Sequence, residues 1–290
     1  MNRCLAFMCA LLFAFVSVSS ACMAAPTDWI RFDLAAQRDR SEIHATFHDE
    51  SRGRDEHQWS NGFKPSELIG LDVAGFYSAG SRPLHFAVAR DAGRLDCVGN
   101  GGASRASGNC GFTPDAGFMQ LLASRGIGRP DREQAFGLMA LDVRRSLIDA
   151  VAAARYPTPS VDDLMSMTAV GVTGGYIGEL ARAGYRPKSI DSLVQFKALE
   201  ITPQWIGGLA RIGYANLPSD ELMQLKALDI SADFIAGFDS LGYRRLPVDE
   251  LVQLKALDVT PSFARSAVGE SRPLPSVDQL IQMKLFGTRR

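Results

Sequence analysis

The chain has 290 residues, with 31 Lys+Arg against 32 Asp+Glu and a formal net charge of -1. With 46% apolar and 22% charged residues, it can bury one large or two ordinary cores, which excludes wholesale disorder. The near-zero charge removes any general electrostatic case for nucleic acid or an anionic membrane as partner.

The first element is a leader. Arg3 gives a positive start, Leu5 to Val18 is almost wholly apolar, and Ala21-Cys22-Met23-Ala24-Ala25-Pro26 comes next as a cleavage-type stretch. Residues 1–24 therefore read as a secretory signal peptide. An apolar run of about 14 residues is too short for a membrane span, which needs roughly 20. A lipid anchor on Cys22 is the alternative, and Ser19-Ser20-Ala21 lacks the aliphatic residue that such a site uses. The expectation is an exported chain, periplasmic or secreted, with no membrane span.

Residues 25–128 are expected to form an antiparallel β-rich domain with one helix. Trp29 to Leu34 alternates in strand fashion, and Ile43, Ala45 and Phe47 oppose His44, Thr46 and His48 on a second strand. Leu84, Phe86 and Val88 mark a third strand that ends at the turn Asp91-Ala92-Gly93, and Leu95–Val98 and Cys110–Thr113 complete a meander. The Gly-rich run from Gly99 to Gly108 reads as a hairpin tip, which would set Cys97 and Cys110 facing each other. In an oxidising compartment this pair predicts a structural disulfide. Pro114-Asp115 opens a helix with Phe118, Leu121 and Leu122 on one face, stopping at Gly126, and Gly126–Arg129 is the joint to the second half of the chain.

All four histidines lie in the β-rich half. His44 and His48 have the i, i+4 spacing of a helical zinc pair, but on a strand they stand about 13 Å apart, too far to share an ion held at about 2 Å. Glu50, Asp55, Glu56 and His57 read as an acidic loop with nothing to fix its geometry. Gly99-Asn100-Gly101-Gly102-Ala103-Ser104 lacks the Gly-Lys-Ser/Thr ending of a phosphate loop, and no nucleophile elbow or His-Glu-x-x-His occurs. No catalytic, cofactor-binding or metal-ligating residue is assigned.

Residues 129–290 form an array with a period of 29, five rows and a closing half-row. Leu164, Leu193, Leu222, Leu251 and Leu280 share a column, as do Asp162, Asp191, Asp220, Asp249 and Asp278. Lys197, Lys226, Lys255 and Lys284 share another, with Met139 and Thr168 in the earlier rows, and Tyr156, Tyr185, Tyr214 and Tyr243 a fourth. Each row reads as two short helices. The first opens at Ser160, Ser189, Pro218, Pro247 or Ser276, with Asp in its first turn and Lys near its end, the signs that suit the helix dipole. The second opens at Thr-Pro, as in Thr202-Pro203 and Thr260-Pro261, turns Tyr176-Ile177, Trp205-Ile206 and Phe234-Ile235 inward, and stops at Gly-Tyr. Helices of about ten residues bury their faces only by stacking, in a solenoid of either hand or a curled bundle. Dipole compensation and packing account for the columns without a ligand. Trp205, the one indole of the array, and Arg244-Arg245 are the remaining candidates for a partner surface.

The row Leu222-Met-Gln-Leu-Lys226-Ala-Leu-Asp-Ile-Ser, continuing to Gly242-Tyr243, resembles the helical repeats of uncharacterised bacterial exported proteins. Similar repeats occur in the extracytoplasmic parts of membrane zinc metallopeptidase sensors of the β-lactam-sensor type. The segment from Phe86 to Gly93, through Phe112-Thr113-Pro114 to Phe118 and Leu122, looks like the module that precedes those repeats. The resemblance implies architecture alone. This chain lacks the membrane helices and zinc motif of those sensors, so no peptidase activity carries over. The expectation is thus an α+β, non-enzymatic envelope protein that binds a protein or peptide partner through its repeats. The alternatives are a ligand-sensing accessory of a signalling system, with its ligand in the β-rich domain, and an envelope hydrolase with a site near His57 or His85.

Overall fold

The computed structural model describes residues 30–49, 57–269 and 274–287. The leader over 1–24, with Cys22, lies outside them, as do Trp29, Glu50, Asp55 and Glu56. The described chain is α+β: an antiparallel sheet, then a stack of helices.

Six strands, β1 (Ile30–Ala36), β2 (Ile43–Asp49), β3 (His57–Phe63), β4 (Arg82–Arg90), β5 (Gly93–Gly102) and β6 (Arg105–Pro114), form one sheet in the order β3-β2-β1-β6-β5-β4. Two three-stranded meanders thus join through the β1–β6 pair. Alternation sorts the faces. Phe32, Leu34, Ile43, Ala45, Phe47, Phe63, Phe86, Leu95 and Cys97 are buried on the inner face. His44, Asp96, Val98, Asn100, Arg105 and Ser107 lie on the outer one. Helix α1 (Val73–Tyr77) closes one end of the inner face, where Phe76 is buried and its carbonyl accepts from the Ser104 N–H at 3.0 Å. The predicted helix forms as α2 (Ala116–Ser124), capped by Asp115, and Gly126 comes after it in the left-handed region at φ 73°.

Two expectations need correction. The Gly-rich run is no extended tip: the β5–β6 strands continue to Gly102 and Arg105, and the turn is only Ala103-Ser104. The glycines are there because the chains approach closely. A Cβ on Gly108 would lie 2.2 Å from the Val98 carbonyl oxygen and 2.9 Å from Phe32 Cε1, and the Phe32 ring packs edge-on against Phe86 at 5.0 Å. Cys97 and Cys110 are register partners joined by a disulfide, with Cα atoms 4.0 Å apart. His57, read as part of an acidic loop, instead begins β3.

The helices of the second half keep the period. First helices α3 (Arg132–Ala140), α5 (Val161–Ala169), α7 (Ile190–Ala198), α9 (Ser219–Ala227), α11 (Val248–Ala256) and α13 (Val277–Phe286) start 29 residues apart. So do second helices α4 (Arg145–Ala153), α6 (Gly174–Arg182), α8 (Pro203–Arg211), α10 (Ala232–Asp239) and α12 (Pro261–Val268). First helices stack on first helices through the whole series, and the second helices α6 on α4 and α12 on α10. This is the two-layered stacking of a solenoid. Helix α3 is its buried start, with Phe136 packed against Trp59 at 4.5 Å and Phe112 at 5.3 Å on the inner face of the sheet.

Candidate functional site

One side of the array carries a repeated set of groups. Each second helix after the first row opens with a hydroxyl cap: Thr173, Thr202, Ser231 and Thr260 accept from the N–H groups of Tyr176, Trp205, Phe234 and Phe263. The capped residue is aromatic each time. Over each ring lies the lysine of the next first helix, with Lys197, Lys226, Lys255 and Lys284 standing 4.9, 5.7, 5.2 and 5.2 Å from the ring centres. The lysine column thus has a second role beside its place in the last helical turn, since each cation covers a ring that is wholly or partly buried.

A third column was not singled out from the sequence. The residue just past each first helix takes a left-handed conformation, at Asp142, Gly171, Glu200, Asp229 and Asp258, with φ between 50° and 81°. Four of the five are acidic, although glycine suits such a backbone best. Lys255 Nζ donates to the Asp229 carbonyl at 3.0 Å, and Lys284 pairs with Asp258 at 2.9 Å. The 29-residue recurrence of these acids was visible in the sequence; their backbone geometry was not.

Three hollows on this side join into one groove. The first, about 610 Å³ at the joint with the sheet, is lined by Phe63, Glu67, Arg90, Asp91, Asp142 and Arg144. Asp142 and Arg144 also line the second, about 520 Å³, which lies between the first two repeats. Thr173 and Gly175 carry the groove into the third, about 590 Å³, with Tyr176, Glu179, Lys197, Glu200, Trp205 and Lys226. Its polar groups are held in place. Asp142 accepts from Arg144 at 2.7 Å and raises that guanidinium above its ordinary range. Tyr176 donates to the Ile201 carbonyl at 2.8 Å, and burial pushes its phenol well up. The lining alternates cation and carboxylate around aromatic rings, which suits a ligand with its own polar backbone. Stacked helices lie about 8–10 Å apart and an extended chain advances about 3.3 Å per residue, so a bound strand would meet equivalent groups every third residue.

Trp205 lines this groove. Arg245 does not: it lines a separate hollow of about 590 Å³ with Tyr214, Asp220, Glu221 and Asp249. Arg244 is exposed and lines neither. In the sheet, His44 and His48 lie on β2, where His48 Nε2 is 3.4 Å from Asp33, and His85 is exposed on edge strand β4. Among the described residues, no three of His, Cys, Asp and Glu converge as metal ligands.

Fold and groove together define an α+β protein whose helical half is a solenoid opening onto a continuous polar-aromatic groove. Compared with protein-family models, curated proteins and solved structures, the chain matches none.

Proposed function

We propose that this is an exported, non-enzymatic protein that binds a protein or peptide partner, in extended conformation, along the groove. The supporting observation is continuity. Hollows that share Asp142, Arg144, Thr173 and Gly175 run from the sheet joint to Lys226 at the edge of the fourth repeat. Repeat stacks offer such long surfaces to partners. Export rests on the leader pattern over 1–24 and is in keeping with the Cys97–Cys110 disulfide. It is also in keeping with the finding that no helix among the described residues is long and apolar enough to cross a membrane.

The test uses peptides selected from a displayed random library on the chain without its leader, with affinity read by fluorescence anisotropy. Trp205→Ala and Lys226→Ala are each expected to weaken binding by about tenfold. Arg244→Ala, outside the groove, leaves it unchanged. Failure to select any peptide, or affinities indifferent to Trp205→Ala, would sink the proposal.

A further inference from the structure

The outer face of the sheet holds a hollow of about 570 Å³ that is separate from the groove. Register places its groups. Ala35 on β1 pairs with His44 on one side and Arg105 on the other. Two strand spacings then set His44 and Arg105 about 10 Å apart across a methyl floor. On the neighbouring rung of that face Asp33 lies between Thr46 and Ser107, and Ser107 pairs with Asn100. The loop at Gly80-Ser81 forms a wall. It closes in because Gly102 has no side chain: a Cβ there would lie 1.9 Å from the Gly80 carbonyl oxygen.

The chemistry of the lining selects among ligands. Arg105, His44, Asn100 and Ser107 have no side-chain partner among the described residues, so their hydrogen-bonding capacity is free for a ligand. A guanidinium fork matches a carboxylate in a bidentate pair. Asn100 and Ser107 each donate and accept, as hydroxyl groups require, whereas the Thr46 hydroxyl already bonds Ser60 at 3.0 Å. Asp33 accepts only, and it opposes a second anion at its end of the hollow. Among the described residues no Phe, Tyr or Trp lines the hollow, so they offer no broad ring platform on which a neutral sugar could stack. A volume of several hundred Å³ is the size of a small-molecule site.

We propose that this hollow binds a small hydroxylated carboxylate of the sugar-acid class, with the carboxylate on Arg105 and the hydroxyls on Asp33, Asn100 and Ser107. The site does not depend on the groove. Calorimetric titration of the chain without its leader would use D-glucuronate, with D-glucose and inorganic phosphate as comparisons. Glucuronate is expected to bind saturably with a Kd on the order of 1 mM or tighter, and both comparisons at least tenfold more weakly. Arg105→Gln, an exposed change, should weaken glucuronate about tenfold. Ala35→Leu, which fills the floor and keeps every charge, should abolish binding, with an unchanged far-ultraviolet spectrum showing that both variants fold. Absence of saturable glucuronate binding at roughly 10 mM, or the same affinity in Arg105→Gln, overturns the proposal. Phosphate binding as tightly as glucuronate would also overturn it, by leaving only a plain anion hole.

Discussion

Tyr214 donates its hydroxyl to the Leu246 carbonyl at 2.7 Å, and Tyr243 bonds Pro275 at 2.8 Å in the same way one repeat on. The column read from the sequence as packing therefore also ties each of these repeats to the next. Tyr214 is buried, so Tyr214→Phe leaves a carbonyl unpaired away from water. This should cost about 1–2 kcal/mol, lowering Tm by a few degrees in thermal melts. The same phenol gives a pH dependence. Burial first, then the carboxylates of Asp239 and Glu250, push Tyr214 up from 10.0 to about 12. The folded state therefore holds this proton more tightly than the unfolded chain does. Its contribution is complete below pH 10 and is lost as pH rises through about 12. Urea midpoints across this range should fall in the native chain and fall less in Tyr214→Phe. Equal slopes would show that the tyrosine does not supply the linkage.

Short helices need help at their ends, and most ends of the array have a readable device, α4 being the exception. Hydroxyl caps, first-turn acids and last-turn lysines all recur every 29 residues, so the array was legible down to its caps. Strand β3 was not, for a physical reason. Its inward residues include Asn61, beside Gly62, which in sequence signals a turn. Asn61 points inward because its side chain donates to the Ala140 carbonyl of the first repeat at 3.1 Å, a partner 79 residues away that no local pattern announces. The groove was half legible for a similar reason. Lysine and aromatic columns stood out separately, but their stacking joins residues 21 apart on neighbouring repeats, such as Lys226 and Trp205. The left-handed acids suggest a stability test. Glu200 sits at φ 55° where non-glycine strain costs about 1–3 kcal/mol, offset by roughly 0.5–1 kcal/mol of extra chain entropy lost on folding when glycine is there. Glu200→Gly should therefore raise stability by about 0.5–1 kcal/mol in urea unfolding, while removing one carboxylate from the groove and weakening any peptide bound there. A loss of stability would mean that the Glu200 side chain makes contacts worth more than the strain.

A stack of repeats exposes apolar faces at both ends, and this molecule treats its two ends differently. The sheet covers the first. Arg90 donates to the carbonyls of Met139 and Ala140 at 2.9 and 2.6 Å, where helix α3 ends. The Arg145 N–H bonds Asp91 at 2.8 Å, and a single hydrophobic core runs from Ile30 to Leu280. Burial lowers the Arg90 guanidinium below its usual range, and Asp142 and Glu67 act against that shift, so the joint holds a partly desolvated cation whose partners are helix-terminal carbonyls. At the other end, among the described residues, α13 is the last helix of the stack, with Leu285 and Phe286 exposed at 56% and 81%. Because stability in such stacks passes between neighbours, opening should start at α13 and spread inward, with the sheet end opening last. Arg90→Ala would remove two charge-assisted bonds from the joint, leaving the Ala140 carbonyl to Asn61 and the Met139 carbonyl to the Asp142 N–H, at a cost of about 1–3 kcal/mol. The loss should be local first: in hydrogen exchange, protection falls in α3 and in β5–β6, while α9 and α11 exchange as before. If protection falls evenly along the whole array, or nowhere, then Arg90 does not hold the sheet as the cap of the stack.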